Sequence, residues 1–232
     1  MTVPVAVFAS GGGTNFQSLL DHQTLGGDWE IRLLISDRDG AGALGRAERA
    51  GVDTRVIPVK GRASEEVAAD TVAALGEAGI RVILLAGYLR LVPSEVIRAF
   101  PRRILNIHPA LLPSFGGKGM WGRHVHEAVL ASGASFSGPT IHFVDEEYDT
   151  GTIFAQWPVP VWPDDTPDSL AARVLEVEHV LYPLAADHLC RAVARNEEPA
   201  PFSPPGETVR VAGTFSRDEV SRQIAAGFGH EP

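Results

Sequence analysis

The run Val3-Pro4-Val5-Ala6-Val7-Phe8-Ala9-Ser10-Gly11-Gly12-Gly13-Thr14-Asn15-Phe16 decides how the rest of the chain is read. Val3 to Ala9 is β-rich, Ser10 to Thr14 is a glycine-rich turn, and Asn15 to His22 carries apolar residues at Phe16, Leu19 and Leu20. The segment therefore reads strand, turn, helix. Three consecutive glycines at such a junction allow positive φ and let several backbone N–H groups converge, which is how a helix start holds a phosphate. Thr14 and Asn15 add side-chain donors. A plain glycine connection without a ligand is the competing reading. A dinucleotide site with Asp37 as its ribose ligand is another, but its third glycine falls at Phe16, too bulky for close helix–strand approach. A Walker-type loop lacks its lysine here.

Outward from that unit, strand-like runs at Ile31 to Ser36, Thr54 to Val59 and Val82 to Ala86 alternate with helix-like stretches near Ala43 to Ala50 and Ser64 to Ala78. This alternation predicts an α/β fold, a Rossmann-like and mostly parallel sheet with helices on both faces. Further strands are expected at Ile104 to His108, Phe136 to Val144 and Thr152 to Pro158, the last two as antiparallel neighbours. Thr166-Pro167 is a strong helix start, and Leu170, Val174, Val177 and Leu181 mark a buried face. Pro183 should kink or end that helix, with Leu184 to Ala194 as its continuation or a second helix. From Glu197 onward Pro, Gly and charge dominate. Pro199 to Pro232 reads as a peripheral tail, with a short strand at Thr208 to Val211 and a helix near Asp218 to Ala226.

The 232 residues, 44% hydrophobic and 21% charged, suffice for a substantial core. Net charge is −9, and no block of basic residues offers a footprint for a nucleic-acid backbone, so nucleic-acid partners are not expected. The apolar stretch Val3 to Ala9 is far short of the roughly 20 residues of a membrane span, and no basic n-region precedes it. With a single cysteine, Cys190, neither an internal disulfide nor a thiolate zinc site is available, which fits a reducing compartment and a cytoplasmic location.

In Ile104-Leu105-Asn106-Ile107-His108-Pro109 the pleat puts Asn106 and His108 on one face, at the carboxyl end of a buried strand where α/β sheets bind ligands. Pro109 stops the strand and is expected to leave His108 exposed at its lip. A satisfied structural histidine is the alternative. Asp149, in Tyr148-Asp149-Thr150-Gly151, is placed to orient His108 and raise its pKa; an ordinary aspartate in a glycine turn is the other reading. A metal site built from His124, His126 and Glu127 fits no dependable zinc spacing. His142 supports the site from its own strand or serves the interior.

Taken in order, Ala9 to Asn15, Leu85-Ala86-Gly87-Tyr88-Leu89-Arg90, Asn106-Ile107-His108-Pro109-Ala110-Leu111-Leu112-Pro113, His142-Phe143-Val144 and Asp149-Thr150-Gly151 resemble the phosphoribosylglycinamide formyltransferases, over roughly residues 3 to 190. The resemblance implies transfer of the formyl group of 10-formyltetrahydrofolate to the amine of 5-phosphoribosylglycinamide in purine biosynthesis, without a metal. By position, Asn106, His108 and Asp149 would be catalytic. Gly13, Thr14 and Asn15 would hold the ribose phosphate, and Glu178 the glycinamide end. Leu85, Leu89, Arg90, Leu91 and Val92, with backbone around Asp145 to Asp149, would line the folate pocket. The loop Ser114 to Val125 is longer than in many relatives, and the folate-side arginine that the resemblance implies near Ser64 does not clearly align, leaving Lys60 or Arg62 as its substitute.

The implied organisation is a formyltransferase domain over residues 1–198, its phosphate-binding half about 1–100 and its folate and catalytic half about 101–198, followed by the tail 199–232. The expected partners are small-molecule substrates, the protein itself a monomer or homodimer. The rivals are a tRNA formyltransferase, a formyltetrahydrofolate hydrolase, or a non-catalytic nucleotide-binding protein using Gly11 to Asn15 and Asp37. The first would carry an added nucleic-acid-binding domain and the second a regulatory domain ahead of the catalytic one.

Overall fold

A computed structural model describes residues 2–202. The sequence alternation becomes β1 (Val3–Phe8), α1 (Thr14–Gln23), β2 (Trp29–Ser36), α2 (Gly42–Ala50), β3 (Asp53–Val56), α3 (Ser64–Glu77), β4 (Val82–Leu85), α4 (Ser94–Ala99) and β5 (Ile104–His108). After these come α5 (Arg123–Ser132), β6 (Phe136–Ser137), β7 (Thr140–Phe143), β8 (Ile153–Gln156), β9 (Val159–Pro160) and α6 (Pro167–Arg195). A seven-stranded sheet has the order β3-β2-β1-β4-β5-β7-β8; the first five strands are parallel, β7 pairs antiparallel with β5, and β8 pairs antiparallel with β7. The chain builds β2 and β3 to one side of β1, then crosses to put β4 and β5 on the other. The reversal lies between β1 and β4, and such switch points open a crevice at the carboxyl ends of the strands. The glycine turn after β1 and the Ala86 to Val92 loop after β4 flank it.

Alternation along β1 separates two apolar cores. Val3, Val5 and Val7 pack with Phe16, Leu19, Ala43, Ala47 and the inner face of α6, while Ala6 and Phe8 pack with Val67, Leu75 and Val96 of α3 and α4 on the opposite face. The sheet is covered on both sides, as continuous apolar strands require.

Several boundaries differ from the sequence reading. The strand expected over Phe136 to Val144 is broken by Gly138-Pro139 into β6, which pairs with β9 in a separate two-stranded sheet, and β7. A Cβ on Gly138 would collide with the Trp157 carbonyl oxygen, and Pro139 has no N–H for a ladder. The strand over Thr54 to Val59 stops at Val56, just short of Pro58. Helices α4 and α5 have no counterpart in the sequence reading.

The last helix is one element of 29 residues that runs through Pro183. Its start is a capping box, with Thr166 and Ser169 exchanging side-chain to backbone bonds at 3.1 and 2.9 Å. Proline removes one helical hydrogen bond, but Leu181, Tyr182, Ala185, Ala186, Leu189 and Cys190 around it are fully buried, and that burial outweighs the loss. At the described end of the chain the Phe202 N–H donates to the Phe154 oxygen at 2.7 Å, on edge strand β8. The strand expected at Thr208 to Val211 and the helix near Asp218 to Ala226 lie outside the described residues.

Candidate active site

The carboxyl ends of β4, β5 and β1 open into a cleft of about 620 Å³. Asn106 and His108 reach it from β5, two residues apart on one face, and in the antiparallel ladder Asn106 stands opposite His142 of β7. The Asn106 Nδ2 donates to His142 Nε2 at 3.0 Å, and His142 Nδ1 donates to the Phe143 oxygen at 2.9 Å. Asp149 sits between the histidines, with Oδ2 3.6 Å from His108 Nδ1 and Oδ1 3.5 Å from His142 Nε2. It is held there by a left-handed backbone, φ 59°, and by the Gly117 N–H, which donates to Oδ2 at 2.9 Å.

The expectation that Pro109 exposes His108 is corrected: His108 is only 3% exposed. Its Nε2 donates to the Phe115 oxygen at 2.9 Å, so the 114–125 loop closes over the ring. Asp149 does push the His108 pKa up, as expected, but burial pushes it down by more, and the net value lies below that of an ordinary histidine. For Asp149, burial pushes the carboxyl up, while His142, the His108 charge and the Gly117 N–H together hold it below the usual carboxylate range.

Also in the cleft lining, Asn15 Nδ2 donates to Glu178 Oε2 at 2.6 Å, joining α1 to α6. Glu178 is buried, and desolvation raises its pKa to about 7 against the smaller downward pull of Asn15. The Asn15 Oδ1 is buried with no hydrogen-bond partner among the described residues. In the glycine turn the carbonyls of Gly11 and Gly12 are occupied by Ala43 N–H at 3.1 Å and Arg46 Nε at 2.8 Å. The N–H groups of Gly11, Gly12 and Gly13 meet no acceptor among the described residues. Gly13 has φ 73°, and a Cβ there would come within 2.8 Å of Ala43 Cβ. Thr14 does not line this cleft; it faces a neighbouring hollow of about 670 Å³ between α1 and α6.

Leu85, Leu89, Arg90, Leu91 and Val92 all line the cleft, as does the stretch from Val144 to Asp149 apart from Glu146. Asp37 is closed to a ribose: its side chain is 1% exposed and accepts Arg90 Nε at 2.7 Å. Of the two histidines in the discounted metal motif, His124 points to Glu127 at the surface and His126 is buried in the cleft wall. Among the described residues no group of three or more His, Cys, Asp or Glu could hold a metal, and no helix is long and apolar enough to cross a membrane. Sequence reasoning missed the Phe115 and Gly117 backbone, which act through main-chain atoms, and Met120 and Trp121 of the cleft wall. An aromatic residue isolated in a glycine-rich loop was the available signal for Trp121.

The Formyl transferase family model matches residues 3–186. The chain belongs to the formyl transferase family. It is 48% identical over 189 residues to the chloroplastic phosphoribosylglycinamide formyltransferase of Arabidopsis thaliana, and 48% identical over 188 residues to that of Vigna unguiculata. Each match takes in 80% of this chain; it spans 65% of the length of the first relative and 60% of the second. The crystal structure of glycinamide ribonucleotide transformylase 1 from Symbiobacterium toebii superposes with a TM-score of 0.77 at 37% identity, over 82% of this chain and 89% of that one. The mostly parallel sheet with antiparallel last strands is the architecture of this family member.

Proposed function

We propose that the protein transfers the formyl group of 10-formyltetrahydrofolate to the amine of 5-phosphoribosylglycinamide in de novo purine biosynthesis. The observation that carries this reading is the convergence of Asn106, His108 and Asp149 in one cleft that is also lined by the Asn15–Glu178 pair and by Leu89 to Val92. The plant relatives' names for this activity support it.

In this mechanism the phosphate sits on the N–H groups of Gly13, Thr14 and Asn15, and Glu178 takes the glycinamide end. The pterin lies against Leu85, Leu89, Arg90, Leu91 and Val92. The amine attacks the formyl carbon, and the new C–N bond places negative charge on the formyl oxygen. Asn106 Nδ2 has a second hydrogen beside the one given to His142, and with protonated His108 it stabilises that oxyanion. To reach the reacting atoms, His108 Nε2 exchanges its Phe115 partner for the substrate. The C–N10 bond then breaks, its electron pair stays on N10, and His108 delivers the proton that N10 needs. The proton lost by the attacking amine restores the imidazolium, with Asp149 as its counter-charge.

Residues 1–198 form the catalytic domain in this reading, acting on small molecules in the cytoplasm as a monomer or homodimer without a metal. The test is formyl transfer from 10-formyltetrahydrofolate to the ribonucleotide, followed by folate absorbance, with the ribonucleotide omitted as control. Ribonucleotide-dependent turnover is expected. Turnover without it would mean a hydrolase, and none in a folded sample would end the proposal.

A further inference from the structure

Asp37, singled out in the sequence as a possible ribose ligand, has a different use in the fold. It follows the last residue of β2, where the carboxyl ends of β2, β1 and β4 lie side by side at the switch point. Its carboxylate accepts Arg90 Nε at 2.7 Å through Oδ2 and Arg38 Nε at 3.3 Å through Oδ1. Ser10, the first residue of the glycine-rich turn, faces the same carboxylate and bonds twice to the next loop: its N–H donates to the Gly87 oxygen at 3.1 Å, and its hydroxyl accepts the Leu89 N–H at 3.0 Å. Burial would raise the Asp37 pKa, but Ser10, Arg90 and Arg38 hold it below the usual carboxylate range, so the group stays charged.

We propose that Asp37 is a positioning residue for folate binding: it fixes the Arg90 side chain on the Gly87 to Val92 wall, which Ser10 bonds to the glycine turn. The inference rests on the proposed function, since it gives the wall its ligand. A buried carboxylate fully spent on neighbours contributes nothing to substrate directly. What it does is remove the freedom of Arg90, a long and 40% exposed side chain whose rotamers would otherwise have to be ordered on binding. Arg90 Nε is taken by Asp37, while the residue itself lines the cleft.

The test uses the full chain and the affinity for a 5,8-dideaza-10-formyl folate analogue, measured by calorimetry, so that it needs no turnover. Loss of a charge-assisted partner predicts about tenfold weaker analogue binding for Asp37→Ala, and a smaller loss for Asp37→Asn, which retains an acceptor. The ribonucleotide KM should move less than the analogue Kd. In an Arg90→Met background Asp37→Asn should have no further effect on analogue binding, because the side chain it holds is gone. A merely structural pair would lower Tm and leave the analogue Kd at the wild-type value, and that result overturns the proposal. So would independent, multiplying losses in the double variant. If Asp37→Ala does not fold, Asp37→Asn and Arg90→Met carry the cycle alone. Absence of analogue binding by the wild-type protein would instead sink the functional reading beneath it.

Discussion

Asn106 Nδ2 donates to His142 Nε2 at 3.0 Å, and the other side of the ring sets the direction of that bond. In the neutral ring with His142 Nδ1–H given to the Phe143 oxygen, Nε2 carries a lone pair and the Asn106 amide turns its NH₂ toward β7. Its remaining N–H is then the donor available to an oxyanion. Asn106→Ala should therefore lower kcat by about 10²–10³, the usual cost of one oxyanion donor, with a smaller change in KM. Near-normal turnover in a folded variant would remove Asn106 from the mechanism.

The same geometry separates Asn106 from the group that orients it. His142→Phe fills a similar volume but cannot accept, so the amide is free to rotate. A loss of about tenfold to a hundredfold in kcat is expected, in the range of other orienting partners. Combining it with Asn106→Ala should cost little more than Asn106→Ala alone. Additive losses in steady-state kinetics would show that His142 acts by another route.

How much of this was legible in the sequence depends on which atoms carry the information. Ile104 to His108 reads with the observed bounds, because a period-two pattern ending at proline leaves one solution, and the pairing of Asn106 with His108 on one face follows. The antiparallel pairing of β7 with β8 also matches the expectation. Helix α5 was missed: Val125 and Val129 are its buried apolar residues, and its start lies in a glycine-rich loop that reads as irregular. Phe115 and Gly117 enter the site through a carbonyl and an N–H, which no side-chain pattern announces. The net His108 pKa depends on how deeply the loop buries it, a quantity that spacing along one strand does not contain.

The two opposing influences on His108 give a pH prediction. In the free protein burial lowers its pKa and Asp149 partly restores it. Replacing Asp149 by Asn removes the restoring charge, so the pKa falls further and the protonated fraction at neutral pH shrinks. If transfer needs the imidazolium, the basic limb of the kcat profile should move to lower pH, and kcat at pH 7.5 should drop by about 10²–10⁴, the range for general acid catalysis. Rate profiles from pH 5 to 9 that superpose for wild type and Asp149→Asn would rule out this role for Asp149.

The turn that presents Asp149 leaves no room for a side chain two residues later. A Cβ on Gly151 would collide with the Phe143 carbonyl oxygen and lie 2.8 Å from its carbon, both backbone atoms that cannot swing aside. Gly151→Ala must push the turn away from β7, carrying Asp149 with it. The expected cost is on the order of 1–3 kcal/mol in urea denaturation, together with loss of most activity. Unchanged stability would mean the turn is more adaptable than its contacts allow.

Glu178 should set a trade between stability and binding. Its pKa is about 7 in the folded protein against an ordinary 4.5, so between these values the folded state keeps a proton that the unfolded chain has released. Its contribution to stability is therefore present at low pH, declines as pH rises from about 4.5 to about 7, and is level above that, a loss of roughly 3 kcal/mol at about 1.4 kcal/mol per unit. His126 works in the opposite sense: burial first, then His108, lowers its pKa to about 4, and it costs stability as pH falls below about 6.5. Comparing wild type with Glu178→Gln at each pH cancels the His126 contribution. The glutamine side chain of Glu178→Gln keeps an acceptor for Asn15 without a buried charge, so the variant should gain on wild type as pH rises and be more stable at pH 8, while its KM for the ribonucleotide increases. Parallel stability curves from pH 5 to 8 would mean that Glu178 titrates as an ordinary carboxylate; a stabilised variant with unchanged KM would detach the charge from substrate binding.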